Sequence, residues 1–212
     1  FNERIRTLLR VEDLFAKLLY NVEAGHEYHH HSALITLLQI LDVVDRAELK
    51  LDLLQELDRQ KSAMSTLIGN PAIAANTLKT ILNDIDVASD ALRAENTKLG
   101  QTLRANEWLM SIKQRAGIPG GVCEFDVPSY HYWLGLGEEN RRDDFKNWLK
   151  PLLPMHDAIV IILHILRGSG VTNRLIAPEG TYQQMLGGTK PAQMLRIELD
   201  DKLSCFPEVS AN

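Results

Sequence analysis

Cysteine is scarce: Cys123 and Cys205 are the only two in 212 residues. That excludes a disulfide scaffold. With no signal-peptide pattern at its start, the chain is expected in a reducing, cytoplasmic compartment with both thiols free. Charge of one sign is not in large excess either. Twenty-three Lys and Arg stand against 28 Asp and Glu, a net charge of −5, so no bulk electrostatic case exists for a nucleic-acid binder. Long apolar runs are missing too. The most apolar stretch, residues 158–166, contains His164 and closes at Arg167. It falls short of the roughly 20 residues a membrane span needs and reads as a buried core helix. Internal repeats and low-complexity tracts are lacking. The sequence begins at Phe1 in an amphipathic pattern without an initiator Met and stops in a turn-like Pro207-Glu208-Val209-Ser210. Both natural ends are therefore expected outside it.

What is present is an ordinary globular composition, 45% hydrophobic and 24% charged, enough for one domain or one domain with a small appendage. Over residues 3–19, Ile5, Leu8, Leu9, Phe15, Leu18 and Leu19 recur at three- and four-residue steps, a helix with one buried stripe. Its other faces carry Arg4, Arg6, Arg10 and Lys17, with Arg6 and Arg10 one turn apart. A second helix is expected from Tyr28 or Ser32 through Val44. Residues 47–68 and 71–92 read as an antiparallel helical hairpin, with Gly69 ending the first helix, Asn70 capping the second and Pro71 at its first position.

Residues 97–101 read as a loop and 103–115 as one helix, with Trp108, Leu109 and Ile112 inward. The Pro119-Gly120-Gly121 turn follows, then helices over 128–134, 138–149 and about 155–166. After Gly168 the pattern changes. Residues 172–177 and 181–185 read as strands, and Leu195, Ile197 and Leu199 alternate with Arg196, Glu198 and Asp200. Residues 186–191 would form the hairpin loop. A two-stranded hairpin is marginal alone, so it needs a further strand or a helical surface. The expected fold is thus α+β and predominantly helical: a helical domain over 1–169 and a small antiparallel β domain over 170–212.

Two constellations could carry chemistry. His26-Glu27-Tyr28-His29-His30 matches the zinc-hydrolase pattern H-E-x-x-H, in which two histidines one turn apart hold the metal and the glutamate acts as base. The segment follows Gly25 at a loop-to-helix junction and is histidine-rich, so a solvated loop is the alternative and no metal is expected. His156 and His164 belong to the apolar helix and read as core or supporting histidines, with Asp157 pointing away from His156. The second constellation is basic: Arg6 and Arg10 on the first helix, Arg46 at a helix junction, Arg104, Lys113 and Arg115 around Trp108, and His131 after the Gly-Gly turn. A peptide or duplex site would require several of these to converge.

Specific residues now carry a resemblance. The opening Phe1-Asn2-Glu3-Arg4-Ile5-Arg6-Thr7-Leu8-Leu9-Arg10, then Glu56-Leu57-Asp58-Arg59-Gln60, precede a block running from Ile118-Pro119-Gly120-Gly121-Val122-Cys123 through Phe125-Asp126, Pro128 and His131 to Trp133-Leu134. Together they resemble the ZapD family of FtsZ-associated cell-division proteins of proteobacteria, over the whole chain. The resemblance implies a homodimeric, non-enzymatic cytoplasmic protein at the mid-cell division ring, without cofactor, nucleic acid or membrane. It would bind the C-terminal tail of FtsZ and bundle protofilaments. It implies a helical domain with a smaller β domain, completed by strands before Phe1 and after Asn212. It also implies a basic tail-binding pocket, onto which Arg10 and His131 carry over directly. A third basic position falls at Glu107, a departure that Arg104, three residues earlier, could offset. Arg6, Arg46 and Arg115 are further candidates by charge.

Overall fold

A computed structural model describes residues 3–46, 48–71, 74–183 and 193–210, with Arg46 described by its backbone alone. Nine α-helical segments run in order among them. α1 (Glu3–Ala24) and α2 (Glu27–Arg46) form an antiparallel pair joined at Gly25, whose φ of +73° suits a residue without Cβ. α1 buries Ile5, Leu8, Val11, Phe15, Leu18 and Val22, a stripe at helical spacing that continues past the expected end at 19. α3 (Leu49–Ser65) and α4 (Ala75–Ala94) make the second hairpin.

That hairpin's turn is longer than the sequence suggested. α3 stops at Ser65, Asn70 N–H donates to Leu67 O at 3.1 Å, and Gly69 takes φ +84°. Pro71 lies in the turn rather than at a helix start, and α4 begins only at Ala75, after Ala74 in its extended cap conformation. The expected single helix over 103–115 is also two: α5 (Gln101–Arg104) and α6 (Glu107–Ala116). Asn106 separates them, its side chain accepting from Leu109 N–H at 3.1 Å as the cap of α6.

α7 (Pro128–Leu134) and α8 (Glu138–Leu149) match the sequence reading, with Pro128 in the first turn of α7. A 3-10 turn over Lys150–Leu152 leads into α9 (Leu153–Gly168). α9 packs against α1, α3 and α4 and buries Met155, Ala158, Ile159, Ile162, Leu163 and Ile165. Each large apolar side chain so placed contributes about 1.5–3 kcal/mol. The helical run 138–168 has the length and composition to cross a membrane. Its inward face is nevertheless part of the shared core, as expected for a core helix.

Among the described residues the small antiparallel β domain is not found. Residues 171–177, 181–183 and 193–199 form no strand, and Pro178–Gly180 is a 3-10 turn. The expected loop at 186–191 and residues 184 and 185 fall outside the described residues. Leu195, Ile197 and Leu199 are all exposed. Alternation therefore creates no wet and dry face here: a strand requires a neighbouring edge to satisfy its N–H and C=O groups, and none of the described segments supplies one. Instead, 193–197 and 207–209 border a shallow groove of about 290 Å³ over Ile5, Arg6 and Leu9 of α1.

Candidate functional site

The six basic candidates fall into three clusters, and the five whose side chains are described each face a carboxylate or carbonyl of the chain. On α1, Arg6 and Arg10 each place Nη1 3.4 Å from the Glu3 carboxylate, one on either oxygen. Helical spacing brings them to the same face, and both side chains remain at least half exposed. Arg10 also lines a groove of about 390 Å³ that includes Val43, Leu49, Asp52 and Glu56.

Around the C-terminal end of α2, Asp42 meets Lys113 at 2.5 Å, while Asp45 meets Lys98 and Arg104, each at 3.5 Å. Arg46 is the last residue of α2. Arg104 is turned inward. Its Nη2 donates to Leu99 O, and its buried Nη1 stands at ion-pair distance from Asp45 without hydrogen-bond geometry. Glu107, the departure from the family pattern, sits in the first turn of α6. A carboxylate is favoured there by the helix dipole, an effect that an arginine would oppose.

The third cluster surrounds the turn-rich segment 118–127. His131, on α7, donates from Nε2 to Val122 O at 2.7 Å. Arg115 lies 3.8 Å from Asp126, and the Cys123 thiol donates to the same carboxylate at 3.0 Å. That carboxylate pushes the thiol pKa up. Gly121 packs closely on α6: a Cβ there would lie 2.5 Å from Arg115 O. Ile118, Phe125 and Tyr132 are exposed on this same segment and on α7. In the sequence Ile118 and Phe125 stand out only as part of the family block, and Tyr132 not at all. For Phe125, an isolated aromatic in a turn-rich stretch is the available signal.

The histidine-rich segment is not a solvated loop. α2 starts at Glu27 and carries His30 into full burial. His30 Nε2 donates to Val22 O at 3.0 Å, and Nδ1 accepts from Arg141 Nε at 2.7 Å. Both ring nitrogens are therefore engaged, leaving no lone pair for a metal. Among the described residues no cluster of three potential metal ligands forms. His31 is half-buried against the Tyr130 hydroxyl, and burial lowers its pKa, with His131 nearby adding to the effect. On α9, His156 is half-buried 4.7 Å from the Phe15 ring, whereas His164 is exposed and not in the core. His156 Nδ1 also lies 3.2 Å from Asp157, so these neighbours meet despite their divergent helical directions.

Arg141 was not anticipated. In the run Glu138-Glu139-Asn140-Arg141-Arg142-Asp143-Asp144 it reads as a surface charge, yet it is 6% exposed. Its Nη1 donates to Leu134 O at 2.7 Å and to Leu136 O, and its Nη2 to Gly25 O at 2.9 Å. These carbonyls lie at and just beyond the C-terminal ends of α7 and α1, where the helix dipoles favour a cation.

Comparison with known proteins matches residues 9–212 to the ZapD cell division protein family. The Cell division protein ZapD of Chromobacterium violaceum is 50% identical over 210 residues, covering 99% of this chain and 83% of that protein. Its counterpart in Janthinobacterium sp. is 51% identical over 212 residues, 100% of this chain and 84% of that protein. The one from Dechloromonas aromatica is 50% identical over 212 residues, with the same coverage. The chain belongs to the ZapD family of cell division proteins.

Proposed function

We propose that this protein binds the C-terminal tail of FtsZ and, as a homodimer with two such sites, bundles FtsZ protofilaments at the mid-cell ring in the cytoplasm. It acts as a binder, not an enzyme, and uses no cofactor, nucleic acid or membrane. Residues 1–169 carry dimerisation and tail binding, with 170–212 as an appendage. The observation that carries this reading is family membership across residues 9–212.

The surface chemistry supports it. An FtsZ tail offers acidic residues around a short apolar motif. Arg115 and His131 belong to the same turn-and-α7 region as exposed Ile118, Phe125 and Tyr132. Arg6 borders an apolar groove, and Arg10 lines one that sets Ile5, Leu8, Val43 and Leu49 beside Glu3, Asp52 and Glu56. Charge-assisted hydrogen bonds and apolar burial are therefore both available to such a peptide. The carboxylates now facing these cations are weak competitors, because exposed ion pairs contribute only about 0–1 kcal/mol. Arg104 contributes by holding the loop before α5 against α2, and Arg46 adds charge at the same end. One short peptide contact is weak; two sites facing a filament that displays many tails gain avidity without further contacts.

The test is binding of a fluorescent FtsZ tail peptide beside a charge-matched scrambled peptide. Selective binding is expected, weakened about tenfold by Arg10→Glu, which removes one charge-assisted contact. The same substitution should reduce filament bundling and leave the dimer intact. Equal binding of both peptides would reduce the site to a nonspecific basic patch, and an unchanged bundling titration would remove Arg10 from it.

A further inference from the structure

We propose that His30 and Arg141 are positioning residues for the tail-binding surface: they clamp the C-terminus of α7 to α1 and so hold His131 in place. This rests on the tail-binding role of His131. α7 has only seven residues, so little of its order can come from its own helix. Of its side chains, Tyr130 and Trp133 are buried. Its C-terminal carbonyls end on Arg141, whose guanidinium simultaneously holds Gly25 O beyond α1 and His30 Nδ1 on α2. One planar group thus ties three elements together, a geometry that a lysine ammonium cannot reproduce. Other ties hold side chains of the same helix, Trp133 Nε1 to Asp144 at 2.8 Å and His31 to the Tyr130 hydroxyl among them, whereas Arg141 holds the carbonyl at its C-terminus.

The clamp requires neutral His30. With Nε2–H donating to Val22 O, Nδ1 must offer its lone pair to Arg141. A proton on Nδ1 would point at the Arg141 N–H. The charged groups facing His30 come from α8: Arg141 and Arg142 oppose a second positive charge, and Glu138 opposes them less. From α1 it meets the Val22 carbonyl, which Arg142 Nε also approaches at 3.3 Å. Burial first, then these guanidiniums, hold its pKa below the ordinary 6.5. The folded state therefore binds fewer protons than the unfolded one. The clamp's contribution is complete above pH 6.5 and is lost as pH falls through the lowered folded value.

The experiment follows amide exchange over residues 128–136 of the full chain between pH 5 and pH 8, corrected for intrinsic rates, with α9 as internal reference. Tail-peptide affinity is measured in parallel. In the wild type, α7 protection should fall on acidification while α9 protection holds. His30→Gln, which keeps a donor and an acceptor but cannot titrate, should remove that pH dependence. Arg141→Lys should speed α7 exchange about tenfold at pH 7.5 through lost hydrogen bonds and weaken the peptide in proportion. Unchanged α7 protection in folded Arg141→Lys would overturn the proposal, as would a wild-type profile flat with pH. So would looser α7 with unaltered peptide affinity. The exchange arm needs no peptide, so if the wild type failed to bind the tail, the tail-binding reading would fall and α7 exchange would still decide on the clamp.

Discussion

Two parts of this chain differ sharply in how they use apolar residues. Up to Gly168, each α-helix contributes buried side chains to one continuous core. Beyond Gly168, no described residue is buried, although Val171, Leu175, Ile176, Leu195, Ile197, Leu199, Phe206 and Val209 would suit a core. Composition does not separate the two. A helix satisfies its backbone within its own segment and can dock with only its stripe, whereas an extended segment needs another segment for every alternate N–H and C=O. Hydrophobicity becomes burial only where the backbone is already provided for.

The most demanding way to break this comparison is native-state hydrogen exchange. Amides at 171–177 and 195–199 should exchange near their intrinsic rates, while the inward turns of α9 should be slower by at least about a thousandfold, reflecting global stability. Comparable protection in both would place the second part in the cooperative unit. Next in size are two truncations read by urea unfolding. Leu41 is 0% exposed and Ile197 43%. Leu41→Ala should cost about 2–5 kcal/mol, and Ile197→Ala should stay within about 0.5 kcal/mol. A cost above that range at Ile197 would mean that the segment closes more tightly on α1 in solution than its shallow groove shows.

The same distinction explains what could be read from the sequence. The limits of α7 and α8 were legible because Pro128 marks a helix start and Gly135 and Gly137 mark the break between them, all local signals. The α3–α4 hairpin was legible in outline, its turn less so, because Gly-Asn-Pro is turn chemistry that suits a longer turn as well as a direct helix-to-helix junction. The 193–199 alternation was misleading since a strand is a property of pairs. Among the candidate site residues, Arg10 and His131 could be named from motif and charge. His30 and Arg141 could not, because their hydrogen bond spans 111 positions and nothing local distinguishes a buried arginine from a solvated one. Arg104 could be offered as a stand-in for the position at Glu107, but not its inward turn, which depends on Leu99 and Asp45.

The smallest expected effect is decided by its sign. If residues 103–115 were one helix, Asn106→Ala would stabilise the protein, since alanine has the higher helix propensity by about 0.5 kcal/mol. In the observed structure Asn106 is instead the cap of α6, holding Leu109 N–H with its side-chain oxygen, and the chain between α5 and α6 leaves the helical path there. Removing that oxygen exposes an orphan donor, so the substitution should cost about 1 kcal/mol in a urea titration. The break also sets the direction of α6, which carries Trp108 against Trp133 of α7 at 5.7 Å and against Trp148 of α8 at the same separation. A red-shifted tryptophan emission accompanying that loss would show that the break, rather than helix propensity, fixes how α6 meets the helix bearing His131. A gain in stability would restore the single continuous helix.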